Sequence, residues 1–497
     1  MQLKELVELI APREVRGVIA GVCTGLAWDE RRVSPGMVFV VLPDRANPSP
    51  DRAAEAVQRG AIGVIAEAPQ GALGWAPQIL VPDSRRALAQ AAAAFNDHPS
   101  LQMKVIGVAG ASGGASIPFL TKQLLEACQM KTGLIGTVRH EIGPRVLPGF
   151  SGTPEAVEIQ QRLAEMRRAG CSACVLEIGR ELLEPGRLLG VHFDVVIFSD
   201  AVETEGMTQS VERNFAQLTG QSTKMASAVI HAGPGRPPAV FPENRQHLTY
   251  GLGGQADLRA RDIRLRMDGS RFDLALPSTS HVCETELIGR ENIGHVLGAL
   301  GAAVLLTGKT SVLLNHIRRL RPAPGHLERV PVERPFEVII DRASSPFEFA
   351  AALKTLRELV TGRLLVLFGC CGERELAKRP RMGALAAEYA DGVVITSDNP
   401  RNESPAQISR QILEGCGAIG AGAVQIVLNR RKAIEFILGQ ARPGDVVLIA
   451  GKGHQTYQEL ENTVIPFDDR VHVEDIMEGL GTLLFGPEEE PEEVQLV

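Results

Sequence analysis

The chain has 497 residues, 22% of them charged and 44% hydrophobic, with a formal net charge of −7 at pH 7. That length exceeds what one hydrophobic core supports and calls for about three domains of roughly 100–200 residues. The mild negative excess excludes nucleic-acid binding through a basic surface. No run approaches the ~18 apolar residues of a membrane span. The expectation is a cytoplasmic protein with neither membrane nor nucleic acid as partner.

In chain order, MQLKELVELIAPREV has the spacing of an amphipathic helix and no apolar stretch or small-residue cleavage site of an export signal. MVFVVL, PDRAAEAVQRGA and IGVIAEA then read as strand, helix and strand. VIGVAG predicts a strand that runs into the glycine-rich loop Gly110–Ser116, with IPFLTKQLLEACQ as the following helix. The apolar runs CVLEIG, DVVIFSD, EVIID, LLVLFGC, GVVITSD, AVQIVL and DVVLIAG follow, separated by helical patterns. Alternation of this kind predicts βαβ units and parallel sheets, hence the α/β class. Residues 240–290 alternate with period two and predict antiparallel strands in an extra sheet attached to the middle domain.

Breaks at NDHPS and RPAPGH divide the chain into domains 1–97, 98–322 and 323–485, followed by an acidic tail, 486–497, too polar to pack. Cys171 and Cys174 have CxxC spacing but no second pair, and the eight scattered cysteines read as buried thiols of a reducing compartment. The loop Gly110–Ser116 sits where a phosphate rests on a helix N-terminus, yet contains no lysine.

The order of VIGVAGASGG, KTGLIGT, SGTPEAVEIQQRLAEM, VLEIG, IGRENIGHVLGAL, LFGCCGERELAKRPRMG, TSDNPRNESP and AGKGHQTYQ resembles the Mur ligases, and within them the MurE type. The resemblance implies an N-terminal domain for the UDP end of the substrate, a central P-loop ATPase domain built on a parallel sheet, and a C-terminal Rossmann-like domain for an amino acid. It implies a reaction in which ATP and magnesium activate a carboxylate of UDP-MurNAc-L-Ala-D-Glu. The amine of the incoming amino acid, often meso-diaminopimelate, then attacks the acyl phosphate.

Several positions depart from the family pattern. Gly114 and Ala115 stand where the family has the phosphate-loop lysine and the magnesium-binding threonine. Gly110 and Gly113 remain, so backbone N–H groups can still point at an anion. Glu177 keeps its type, but Arg180 and Glu181 replace the family's serine and histidine, and Asp200 replaces an asparagine. Leu218 falls at the carbamoylated lysine, with Lys224 out of register. Asn292 remains while its companion asparagine reads as His295, and Asp341 opens DRASSP where the family has DYAHTP. Glu30 replaces a serine near the uridine, where a carboxylate would repel a diphosphate.

The C-terminal motifs are nearly complete. Arg374 matches the arginine that meets the amino acid, and Asp398, Asn399 and Arg401 reproduce the DNPR motif. An arginine can hold a carboxylate through two parallel hydrogen bonds. Gly451 and Gln455 belong to GKGHQ, where the family glutamate becomes Gln455 and offers a neutral carbonyl to the ligand's ammonium.

Read together, these residues suggest a catalytically degenerate MurE-like protein linked to peptidoglycan precursor synthesis and cell division. It would bind or regulate through its C-terminal diamino-acid-type pocket, as a monomer with no catalytic residues, no metal and no cofactor. Its partners would be an amino acid or a peptidoglycan precursor, or another Mur enzyme or divisome protein. The alternative is an active ATP-dependent ligase with a rebuilt site, in which Glu177, Glu181, Asp200, Glu203 and Glu205 hold magnesium and Arg180 replaces the lysine.

Overall fold

The computed structural model describes residues 1–43, 51–71, 73–110, 113–150, 152–184, 186–199, 226–232, 246–253, 255–417 and 424–482. The acidic tail and the stretch holding Asp200, Glu203, Glu205, Leu218 and Lys224 lie outside these residues. Two compact units result. One holds Met1–Arg261, Leu274–His281 and Gly294–Ile317; the other holds Asp262–Asp273, Val282–Ile293 and the chain from Arg318 onward.

In the first unit, helix α1 (Leu3–Ile10) buries Leu3, Leu6, Val7 and Ile10, the one face that its spacing makes apolar. The helix stops at Ala11, which adopts a left-handed backbone, and Glu14–Arg16 is a strand rather than more helix. Strands β1 (Glu14–Arg16), β2 (Gly25–Ala27), β3 (Met37–Val40), β4 (Gly63–Ala66) and β5 (Gln78–Leu80) form a sheet ordered β1-β5-β4-β3-β2. It is parallel except for β1 against β5. Helix α2 (Arg52–Gln58) joins β3 to β4, and the alanine-rich α3 (Ser84–Phe95) buries its small side chains against the sheet core.

A second sheet is centred on β6 (Lys104–Ala109), whose run into the glycine loop is followed by helix α4 (Ser116–Ala127). Pro118 occupies the first turn of α4, where the missing N–H has no intrahelical partner to lose. Strands β7 (Thr132–Ile135), β8 (Arg139–Ile142) and β9 (Arg145–Pro148) form antiparallel hairpins, and helix α5 (Ala156–Arg168) leads to β10 (Ala173–Ile178). Strand β10 lies parallel between β6 and β7, and β11 (Val195–Phe198) lies parallel on the other side of β6. Both faces of these strands are buried, which is why their sequences run apolar without alternation.

The sheet continues through β12 (Ser227–His231), β13 (His247–Gly251), β14 (Leu258–Arg266), β15 (Gly269–Ala275) and β16 (Ser280–Thr285). Residues 247–285 therefore extend the middle sheet instead of forming a separate one, and β13 runs parallel to both β12 and β14. The first and second sheets are tied within their unit. Val157 of α5 is buried in the core of the first sheet, Arg32 meets Glu158 at 3.0 Å, and Glu155 takes Arg187 at 2.6 Å and Arg85 at 3.6 Å.

The second unit carries a six-stranded sheet ordered β17-β18-β22-β19-β20-β21. Its strands are β17 (Glu328–Val330), β18 (Glu337–Asp341), β19 (Leu364–Phe368), β20 (Gly392–Ile395), β21 (Val424–Ile426) and β22 (Val446–Ala450). All are parallel except β17, and their crossovers are the helices Pro346–Leu359, Lys378–Tyr389, Pro405–Cys416 and Arg430–Gln440. A hairpin, β23 (Tyr457–Leu460) and β24 (Thr463–Pro466), precedes the last helix, Asp469–Thr482. Among the described residues, no helix is long and apolar enough to cross a membrane.

Candidate functional site

In open parallel sheets, ligands bind outside the carboxyl ends of the strands. In the first unit that edge holds the glycine loop. Gly110 (φ +142°) and Gly113 (φ +67°) take backbone conformations that side chains rarely adopt, and a Cβ on Gly113 would lie 2.5 Å from the His295 ring. Gly114 differs, because its φ is not positive and a Cβ there would find Glu177 Oε1 at 3.4 Å. The loop could therefore accept a side chain at 114 but not at 113. Ala115 immediately precedes α4 and is buried.

Glu177, near the end of β10, accepts from the Thr137 backbone N–H at 2.7 Å and from Thr137 Oγ1 at 2.9 Å. Thr137 was not singled out from the sequence, although KTGLIGT ends on it. Burial and nearby His231 hold the His295 imidazole down at about 4. Arg180 and Glu181 lie in the exposed 3₁₀ turn Arg180–Leu183. One carboxylate beside one hydroxyl suits magnesium, which takes few protein oxygens and keeps water and phosphate ligands. Among the described residues, no group of three or more His, Cys, Asp or Glu assembles for a metal.

Beside the first sheet, Glu30 is not the bare carboxylate expected from its sequence. Arg52 Nε meets Glu30 Oε2 at 2.9 Å, and Arg52 Nη2 donates to the Trp28 carbonyl at 2.9 Å. The buried arginine offsets the charge that would have repelled a diphosphate.

In the second unit, Asp341, Arg374, Asp398, Asn399, Arg401 and Gly451 end or follow the strands β18, β19, β20 and β22, whereas Asn292 stands on a helix outside that sheet. Asp341 ends β18 and accepts from the N–H groups of Leu327 and Ala343 at 2.7 and 2.8 Å, with burial pushing its carboxyl up to about 6. Asn292, near the start of the helix Arg290–Thr307, is buried and donates to the Ile288 carbonyl at 2.9 Å. Gly451 follows β22 with φ +104°. The loop after β19 carries exposed Arg374, and the loop after β20 carries Asp398, Asn399 and Arg401.

Fully buried Arg379 ties these two loops together. It donates to Glu403 Oε2 at 2.8 Å and to the Cys371 carbonyl at 3.1 Å, while Glu403 also accepts from the Glu373 N–H. Arg401 sits at φ +54°, uncommon for a side-chain-bearing residue and frequent at ligand clamps. The hairpin fixes it there, with Arg401 N–H donating to the Glu459 carbonyl and Nε to Glu459 Oε2 at 2.6 Å.

Beneath lies a buried ring of polar groups. Lys452 Nζ donates to Asn399 Oδ1 at 3.0 Å and lies 3.5 Å from Asp398 Oδ1, which offsets a charge whose burial lowers the lysine's proton affinity. Cys371 Sγ donates to Asp398 Oδ2 at 3.2 Å, and burial with that carboxylate pushes the thiol up to about 12. Asn399 Nδ2 donates to Gln455 Oε1 at 3.0 Å. Gln455 thus turns its carbonyl to Asn399, contrary to the expectation that the carbonyl faces a ligand. Lys452, Arg379 and Glu403 were missed individually, although GKGH, KRP and DNPRNE mark their stretches, and Glu459 lies beyond all three.

Parallel α/β sheets, one with a glycine loop running from a central strand into a helix and one with a loop cluster at its strands' carboxyl edge, define a glycine-loop and Rossmann-like α/β class of protein. Residues 108–303 match the Mur ligase middle domain, and residues 325–453 match the Mur ligase, glutamate ligase domain. The UDP-N-acetylmuramoyl-L-alanyl-D-glutamate–2,6-diaminopimelate ligase of Geobacillus thermodenitrificans is 35% identical over 90% of this chain and 93% of its own. The ligase of the same name from Listeria monocytogenes is 32% identical over 95% and 97%. A solved structure of that ligase type aligns with TM-score 0.67 at 27% identity, covering 97% of this chain and 99% of its own. The chain belongs to the Mur ligase family, and the three-domain Mur architecture matches its fold.

Proposed function

We propose that the chain is a MurE-type ligase of peptidoglycan precursor synthesis, joining diaminopimelate or a related amino acid to UDP-MurNAc-L-Ala-D-Glu at the expense of ATP. The names of its full-length relatives support this over binding alone. The observation that carries the amino-acid half is the assembled ring of Asp398, Asn399, Lys452 and Gln455 beside Arg401 at one sheet edge. In the reaction the substrate carboxylate takes a phosphoryl group, the amine attacks the acyl carbon, and phosphate leaves as the amide forms. Magnesium would neutralise the transferred charge, held through Glu177 and the Thr137 hydroxyl. With Gly114 in place of a cation, turnover is expected to be slower by on the order of 10²–10³ than with that contact present. Cysteines without disulfides fit a cytoplasmic site of action.

A second reading is favoured by Gly114 and Ala115 themselves: binding of amino acid and precursor without turnover, in a regulatory role. Incubation of the purified chain with precursor, Mg-ATP and amino acid separates the two. Precursor-dependent phosphate release with an amide product of the added mass supports the ligase. Binding of both substrates without product supports the second reading, and silence in both assays overturns each.

A further inference from the structure

Strand β10 carries Glu177, and the chain on both sides of it rests on α3, a helix of the first sheet. Before the strand, α5 packs against α3 and places Val157 in the core of the first sheet. After it, residues 186–192 run along α3, where Gly186 (φ +90°) and Gly190 (φ +80°) come so close that a Cβ would lie 3.0 Å from Arg85 Cγ and 2.8 Å from Ala93 Cβ. Charges close on this contact from two sides. Arg85 of α3 and Arg187 both reach Glu155 Oε1, at 3.6 and 2.6 Å, and they also meet Glu184 at 3.7 and 2.9 Å. Arg32, whose guanidinium lies 5.1 Å from the centre of the Trp28 ring, reaches Glu158 at 3.0 Å. Glu155 and Glu158 open α5 and are tied to each other, the Glu155 N–H donating to Glu158 Oε2 at 3.0 Å.

Apolar contact is non-directional and lets two packed bodies pivot, whereas an arginine held between carboxylates fixes a direction. The side chains of Arg85 and Glu155 are only 12% and 10% exposed, so desolvation offsets much of their attraction and the geometric effect outweighs the gain in stability. We infer that the start of α5 is a positioning joint that sets the distance and angle between the first sheet and the strand of Glu177, and through them the fit of a substrate long enough to lie across both. Arg32 and Arg85 are the first sheet's half of that joint. The inference rests on the ligase reading, in which UDP-MurNAc-L-Ala-D-Glu has its nucleotide at the first sheet and its reacting carboxylate at the glycine loop.

Calorimetry on the full chain tests the joint with two probes, UDP, which reaches only the first sheet in that reading, and UDP-MurNAc-L-Ala-D-Glu, which spans both. The variant is Arg32→Met with Arg85→Met, which keeps the aliphatic stems and leaves Glu155 its contact with Arg187, so that no carboxylate is buried alone. The expected result is that the double variant binds the precursor about tenfold more weakly and UDP as before, and that Arg32→Lys with Arg85→Lys restores most of the loss. Should the double variant melt early, Arg85→Met alone is expected to weaken precursor binding about threefold with UDP again unchanged. Equal weakening of both probes, or precursor binding unchanged in a folded variant, overturns the joint while the ligase reading stands. Failure of the unaltered chain to bind the precursor overturns that reading, and the joint with it.

Discussion

Asp469 holds Arg430 through two parallel contacts, Nε to Oδ1 at 2.7 Å and Nη2 to Oδ2 at 2.8 Å, with neither side chain exposed to solvent. The same guanidinium donates to the carbonyls of Ser397 and Ala450, the residues just before Asp398 and Gly451. The pair therefore joins the starts of the helices Arg430–Gln440 and Asp469–Thr482 to the loops that carry Asp398 and Gly451.

Asp469→Asn strands a fully buried guanidinium without its counter-charge, and removing one partner of such a pair costs about 3–5 kcal/mol. Urea unfolding should show that loss. Replacing both residues with apolar ones of similar size, Arg430→Met with Asp469→Leu, should recover more than half of it, because neither buried charge then remains. A double variant as unstable as the sum of the singles would contradict a coupled pair.

The glycine loop supports a gain-of-function prediction. Gly114 has an ordinary backbone and Glu177 Oε1 within reach of an added side chain, so Gly114→Lys should fold normally and place an ammonium beside the loop. Together with Ala115→Thr it should raise precursor-dependent phosphate release by on the order of 10²–10³. Gly113→Ala serves as the contrast. It forces a Cβ against His295 at a left-handed backbone position and should lower the melting temperature without helping turnover. No change in phosphate release for the Gly114 and Ala115 double variant would mean that the loop lysine is not what limits this protein.

How far the sequence discloses this site depends on how local the determinant is. Strand β6, the glycine turn and α4 are legible because the apolar run, the glycines and the helical spacing are contiguous. The hairpins β7 to β9 are not, since each strand is four residues long and on β8, which does alternate, the buried face begins with the polar His140. Glu30 looks like an uncompensated charge until the fold brings in Arg52 from α2. Gln455 is harder still: its orientation follows from Asn399, and that of Asn399 follows from Lys452 and the Glu459 backbone. A chain of hydrogen bonds through residues far apart in sequence leaves no periodicity or spacing to read.

His140 supplies a pH-dependent test. It is buried on β8 against Phe150, with ring centroids 4.2 Å apart, and among the described residues neither ring nitrogen finds a partner. Burial, helped by the Arg162 charge, pulls the imidazole down to about 4. The folded state thus binds fewer protons at this residue than the unfolded chain between about pH 4 and 6.5. The stability that neutral His140 permits is complete above pH 6.5 and is lost as the pH falls toward 4. His140→Phe removes this proton linkage and two unpaired polar atoms while keeping a ring of similar size. The variant's stability relative to the unaltered chain should increase by about 2 kcal/mol on going from pH 7.5 to pH 5. Denaturant melts at the two pH values measure that difference, and an equal offset at both would show that His140 does not titrate with folding.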